Sequence, residues 1–163
     1  MMTLIGNKSR FAAEIGGFSA GSTQLRRVDL WAADQWWTCD DNNVFLPQFC
    51  FDVQRTINRL KSGCDLSLPF PGLPPVETHR RLLALDDGSG EQFCFPHWGP
   101  TTDNILAHLF RDGERIFIPF EFWRKEHRLP KQLGMVFVAE LIEAEFLSVL
   151  RQIIDTLGEA RVT

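Results

Sequence analysis

The sequence predicts an α+β fold, an antiparallel sheet of about six or seven strands with two main amphipathic helices on one face, built as a single domain over residues 1–163. Three observations carry this prediction. Apolar residues recur at Leu46, Phe49, Cys50, Val53, Ile57 and Leu60, the spacing of one helical face. A second stripe, Phe146, Leu147, Val149, Leu150, Ile153, Ile154 and Leu157, marks a helix near the carboxyl end. The rest is mostly short alternating runs bounded by Gly, Asp and Pro, the period of strands and their turns. No internal repeat, low-complexity tract or linker separates two cores, and 163 residues suffice for one.

Phe11 to Phe18 and Val28 to Cys39 read as two strands, joined through the turn Ser19-Ala20-Gly21-Ser22 into an opening hairpin. The polar run Asp40-Asp41-Asn42-Asn43 then leads into a helix from Leu46 to Ser62. Pro47 fits its first turn, Arg59 and Lys61 its carboxyl end and Gly63 its cap. From Gly63 to His79 the prolines 69, 71, 74 and 75 exclude regular helix and favour an extended connection, either a functional loop or a plain strap over the core.

Arg80 to Leu85 and Gln92 to Phe95 read as short strands joined by the turn Asp86-Asp87-Gly88-Ser89-Gly90. Asp112-Gly113 between Ile105–Phe110 and Arg115–Trp123 is the strongest hairpin signal in the chain, with Ile116, Ile118, Phe120 and Phe122 on one face. Pro119, on the other face, suggests an edge or a bulge. Met135 to Leu141 gives a last strand, and the terminal helix ends at Gly158 with Glu143 and Glu145 near its positive end.

Composition narrows the function classes. A net charge of −4 disfavours a nucleic-acid binder, which needs a basic face. The acidity lies in the second half: residues to Arg80 hold eight basic and eight acidic side chains, and those from Arg81 nine against thirteen. With 14 Phe, 5 Trp and no Tyr, most aromatic surface lacks a polar handle and is expected in the core or under a partner. Cys39, Cys50, Cys64 and Cys94 are irregularly spaced, and residues 1–6 lack a basic start and apolar run, so buried thiols in a cytoplasmic protein are expected. No apolar stretch reaches the roughly 18 residues of a membrane span.

Each candidate catalytic or metal motif fails on spacing or context, so the expectation is no enzymatic activity, no cofactor and no metal. Gly88-Ser89-Gly90 lacks the Gly-x-Ser-x-Gly spacing and following helix of a nucleophile elbow. Gly16, Gly17 and Gly21 do not make a dinucleotide fingerprint. Cys94 and His97 have the spacing of half a zinc site without a second half, and His79, His108 and His127 are scattered. Arg124-Lys125-Glu126-His127-Arg128 with Lys131 forms a basic loop, either an anion site or a solvated loop.

The most suggestive constellation is Trp36-Trp37 followed by Asp40-Asp41. Adjacent strand residues point to opposite faces, so one ring belongs to the core. The other either anchors a protein partner within a charged rim or is buried under a loop. His97-Trp98 with Asp86, Asp87 and Glu91 is a second candidate of the same kind.

Ile5-Gly6-Asn7 followed by Phe11-Ala12-Ala13, with Trp31, Asp40-Asp41 and the helix from Leu46 in corresponding places, resembles bacterial immunity proteins of the group numbered forty-two, found beside polymorphic and contact-dependent-inhibition toxins. That group carries Asp where this chain has Asn7. The resemblance covers about the first third of the chain. It implies a cytoplasmic protein that binds and neutralises one cognate toxin domain without catalysis, and an acidic chain suits a basic toxin such as a nuclease. The expected partner-binding residues come from the constellations above: Trp36 or Trp37 with Asp40 and Asp41, and Asp86, Asp87 and Glu91 as a second acidic edge. Two other classes fit: a small acidic chaperone or adaptor for a secreted protein, and a hydrolase of unrecognised type.

Overall fold

A computed structural model describes the backbone of residues 2–162 and the side chains of residues 2–158. The expected opening hairpin is present, but it belongs to a larger sheet. Strands β1 (Thr3–Asn7), β2 (Phe11–Phe18), β3 (Leu25–Ala32) and β4 (Gln35–Trp36) lie side by side in chain order, and β5 (Asn43–Phe45) also pairs with β3. Every pairing is antiparallel. The run read as one strand, Val28 to Cys39, is a hairpin. Ala33 and Asp34 take positive φ (50° and 62°) and reverse the chain between β3 and β4.

The first turn explains the residues that carry the resemblance. Gly6 has φ +86°, and a Cβ there would collide with the Phe11 carbonyl oxygen and crowd Val149. Asn7 Oδ1 accepts from the Ser9 amide (2.8 Å) and hydroxyl (2.6 Å). An Asx turn needs only that side-chain oxygen, so Asn serves as well as Asp.

Helix α1 (Leu46–Lys61) has nearly the expected bounds and buries Leu46, Phe49, Val53, Ile57 and Leu60, with Gly63 at φ +78° just beyond it. The proline-rich segment is a strap only up to Pro74, with the Arg111 amide donating to the Leu66 carbonyl (2.6 Å) and Leu66 buried; from Pro75 it is helical, contrary to expectation, because a proline in the first turn has no hydrogen bond to lose.

The predicted strand Arg80 to Leu85 is instead the end of a second helix, α2 (Pro75–Ala84). Pro75 in its first turn and Glu77 near its positive end are helix-start signals, and Thr78, His79 and Leu82 form its buried face. The predicted hairpin through Asp86 to Gly90 is therefore absent. A 3₁₀ turn, Glu91–Phe93, leads from there into the short strand β6 (Cys94–Phe95).

The second sheet joins β6, β7 (Ile105–His108), β9 (Arg115–Phe122) and β10 (Phe137–Ile142) in the order β10-β9-β7-β6, and β8 (Phe110–Asp112) also pairs with β9. The Asp112-Gly113 hairpin forms as expected, with Ile116, Ile118, Phe120 and Phe122 buried. Strand β9 is interior, so Pro119 marks no edge. It lies where the ladder is interrupted, between the pairs Ala107↔Phe120 and Phe110↔Phe117, and its missing N–H leaves no bond to lose there. Among the described residues the fold thus has two antiparallel five-stranded sheets and three α-helices, where one sheet and two main helices were expected.

Helix α3 (Glu143–Val162) continues through Gly158 rather than ending there. It packs on α1 and touches β1, β2 and β10, bridging the two sheets, whereas α2 packs on β9 and β10. One aromatic core joins the layers. Trp37 meets Phe11 of the first sheet (ring centroids 5.6 Å) and Phe120 of the second (5.3 Å) edge to face, and Phe11 meets Phe146 of α3 (5.1 Å).

Candidate functional site

The strand alternation separates the tryptophan pair as the sequence requires. Trp37 is completely buried at the centre of the core, which removes it from any binding surface. Trp36 lies on the outer face, half-buried, stacked on Trp31 (6.1 Å, 16° between planes). Its indole N–H donates to Asp29 Oδ1 (2.8 Å), a carboxylate only 2% exposed that also accepts from Asn42 Nδ2 (3.0 Å) and Arg27 Nε (3.0 Å). Lys8 Nζ sits 4.3 Å from the Trp31 ring and the Arg128 guanidinium 5.4 Å from Trp36. The result is an aromatic column capped by cations.

The loop after β9 folds back over this region. Arg124 pairs with Asp40 (3.6 Å), Arg128 covers Trp36, and Gln132 Nε2 donates to Gln35 Oε1 (2.8 Å). His127 is buried, with Nδ1 3.9 Å from Cys39 Sγ and Nε2 2.7 Å from Gln132 Oε1. The acidic turn and the basic loop, read as two separate features, therefore engage each other. Asp41 stays exposed, its carboxylate accepting from the Asn43 amide (3.0 Å).

The second acidic edge lies elsewhere, after α2. Asp86, Asp87 and Glu91 are all exposed. Asp87 Oδ1 accepts from the Ser89 amide (3.0 Å) and hydroxyl (2.6 Å), and these bonds hold its carboxyl below the usual carboxylate range. Trp98 does not join this edge: it is 1% exposed, and its indole N–H donates to Thr56 Oγ1 (2.9 Å) inside the molecule. Asp86 and Glu91 line a concavity of about 270 Å³, and a second one of about 260 Å³, holding Asp103, Leu106 and Trp123, shares Leu83, Cys94 and His108 with it.

Beneath these concavities is a cluster that sequence reading missed, because its members come from three elements and are far apart in the chain. His79 of α2 and His108 of β7, both buried, approach Nδ1 to Nδ1 at 2.8 Å, and His79 Nε2 lies 2.9 Å from Glu121 Oε1 of β9. A neutral His79 donates Nε2–H to the carboxylate and so presents a bare Nδ1, to which His108 Nδ1–H donates. With both rings protonated, two Nδ1–H donors would stand face to face. Burial lowers the pKa of His79 despite Glu121, which pulls it upward, and burial with the neighbouring His79 lowers His108 to about 4.

His108 faces Cys94 across the β6–β7 pairing, but the two do not make a nucleophile and base. Burial first, then Glu91, raises the Cys94 pKa, and the thiol's hydrogen bond runs to the Gly90 carbonyl (3.8 Å). Cys39, Cys64 and Cys94 are free thiols. Among the described residues no group of three or more His, Cys, Asp or Glu side chains is placed to hold a metal, and no helix is long and apolar enough to cross a membrane. What the surface offers chemically is a set of acidic and aromatic contacts around two shallow concavities.

This chain shares the fold of CdiI from Burkholderia dolosa AUO158. The likeness to that crystal structure covers 94% of this chain and 99% of the other, with a TM-score of 0.62 at 16% sequence identity. No protein-family model and no curated protein sequence matches the chain, so the narrower resemblance to the group numbered forty-two gains no support from a family model. At 16% identity the likeness is one of fold.

Proposed function

We propose that the protein is an immunity protein of a contact-dependent growth inhibition system, which binds one cognate toxin domain in the cytoplasm and neutralises it stoichiometrically, without catalysis. The observation that carries this reading is the likeness to CdiI, because it spans nearly the whole of both chains rather than a shared substructure. The residues of the first turn, Gly6, Asn7 and Phe11, support it from the sequence side, as does the failure of Cys94 and His108 to form a reactive pair. In this reading the toxin is a basic domain, a nuclease being the kind an acidic inhibitor suits, and the exposed acids Asp41, Asp86, Asp87 and Glu91 take its cations. Neither nucleic acid nor a membrane is a partner, and no cofactor takes part.

The test is co-expression with the toxin domain encoded by the neighbouring reading frame. Growth should be restored, and the purified pair should run as an equimolar complex by light scattering. A chaperone or adaptor is the second reading, favoured by the exposed apolar side chains Leu83, Leu106 and Trp123. It predicts a dimer of the free protein and binding to an unfolded segment, with no protection against a folded toxin.

A further inference from the structure

The outer face of the second sheet is incompletely covered. Helix α2 is ten residues long, and its buried face, Thr78, His79 and Leu82, packs on β9 and β10, with His79 Nε2 2.9 Å from Glu121 Oε1. Beyond its reach, Leu106, cross-strand from Glu121, is 38% exposed, Trp123 is 49% exposed, and Leu83 of α2 beside them is 42% exposed. A sheet face open to water normally carries polar side chains, so three large apolar ones around one concavity need a reason.

Two properties of this place identify an occupant. The Trp123 ring is exposed but held: its indole N–H donates to the Asp103 carbonyl (2.7 Å), and Arg124 lies against the ring at 5.6 Å while pairing with Asp40. A ring fixed in advance loses little rotamer freedom on binding, which is the character of an interface anchor. The electrostatics are one-sided. Among the described residues, the side chains lining the two neighbouring concavities include Asp86, Glu91 and Asp103 and no Lys or Arg, and Arg124, against the Trp123 ring, is already paired with Asp40. At about 260 Å³ the concavity beside Trp123 has room for a protruding side chain of a partner.

We infer that this concavity between α2 and β6–β7 is where the toxin docks, with an apolar side chain of a basic protein domain seated against Leu83, Leu106 and Trp123 and its neighbouring Lys or Arg side chains meeting Asp86, Glu91 and Asp103. The inference rests on the immunity reading and adds the location and chemistry of its interface. It moves the aromatic anchor from the tryptophan pair to Trp123 and keeps the second acidic edge as part of the rim.

The test uses the full-length protein and the isolated toxin domain from the neighbouring reading frame. In hydrogen–deuterium exchange, complex formation should protect residues 82–97 and 103–108. By surface capture, Trp123→Ala should weaken binding roughly 30-fold or more, mainly through faster dissociation. The double variant Asp86→Lys, Glu91→Lys should slow association about tenfold at low salt and flatten its salt dependence. Phe51→Ala, at an exposed position of α1 outside the concavity, serves as the control and should bind like the parent. If the parent binds and protects while the folded groove variants behave like it, or protection falls elsewhere, the docking site is wrong and the immunity reading stands. If the parent neither binds nor protects, both fall.

Discussion

Acid should unfold this protein earlier than its carboxylates alone would, because of the buried pair His79 and His108. His108 has a pKa of 6.5 in an unfolded chain and about 4 in the fold. Its folded value is depressed, so the unfolded state takes up a proton that the native state refuses. The stability this contributes is fully present above about pH 6.5 and is lost as the pH falls from there towards 4. With about 1.4 kcal/mol for each pKa unit, His108 alone removes about 2 kcal/mol by pH 5 and about 3 kcal/mol by pH 4. His79, lowered in the same direction, adds to this. Against the 5–15 kcal/mol typical of a domain, that is a substantial share. Urea unfolding followed by tryptophan fluorescence should show the midpoint falling by at least about 1 M between pH 7 and pH 5, about 1 M of it from His108, for a slope near 2 kcal/mol/M. In His108→Gln, which keeps a side-chain donor but cannot titrate, the drop should shrink by about 2 kcal/mol. An equal drop in parent and variant, or none in the parent, would refute the reasoning.

Three further outcomes follow from packing and hydrogen bonding, each read by chemical denaturation at pH 7. Trp37→Ala empties the centre of the aromatic core and should cost about 3–5 kcal/mol, whereas Trp36→Ala on the outer face should cost clearly less. Gly6→Ala forces a side chain into positive φ and against the Phe11 carbonyl, and should cost about 2 kcal/mol; a neutral result would mean the first turn relaxes freely. Asp29→Ala strips the acceptor from the Trp36 indole and Asn42 and should cost about 2 kcal/mol or more, with a change in the Trp fluorescence of the Trp31–Trp36 stack.

Local pattern alone determined much of this protein. The stripe from Leu46 to Leu60 placed α1 to within a residue, Asp112-Gly113 placed the β8–β9 hairpin, and strand alternation divided Trp36 from Trp37, because helical and strand periods are written in neighbouring residues. Where the pattern was thin, reading failed. Helix α2 buries only three residues, two of them the polar Thr78 and His79, so no apolar stripe marks it, although Pro75 and Glu77 signal its start. Strand β1 buries only Ile5 and has no alternation to read.

The surface was decided by tertiary structure. Nothing local says that Arg124 and Arg128 fold onto Asp40 and Trp36, that His79, His108 and Glu121 meet, or that α2 stops short of Leu106 and Trp123. These contacts join residues tens of positions apart, and whether a given charge or ring is spent inside the molecule or left for a partner depends on which distant element the fold brings beside it.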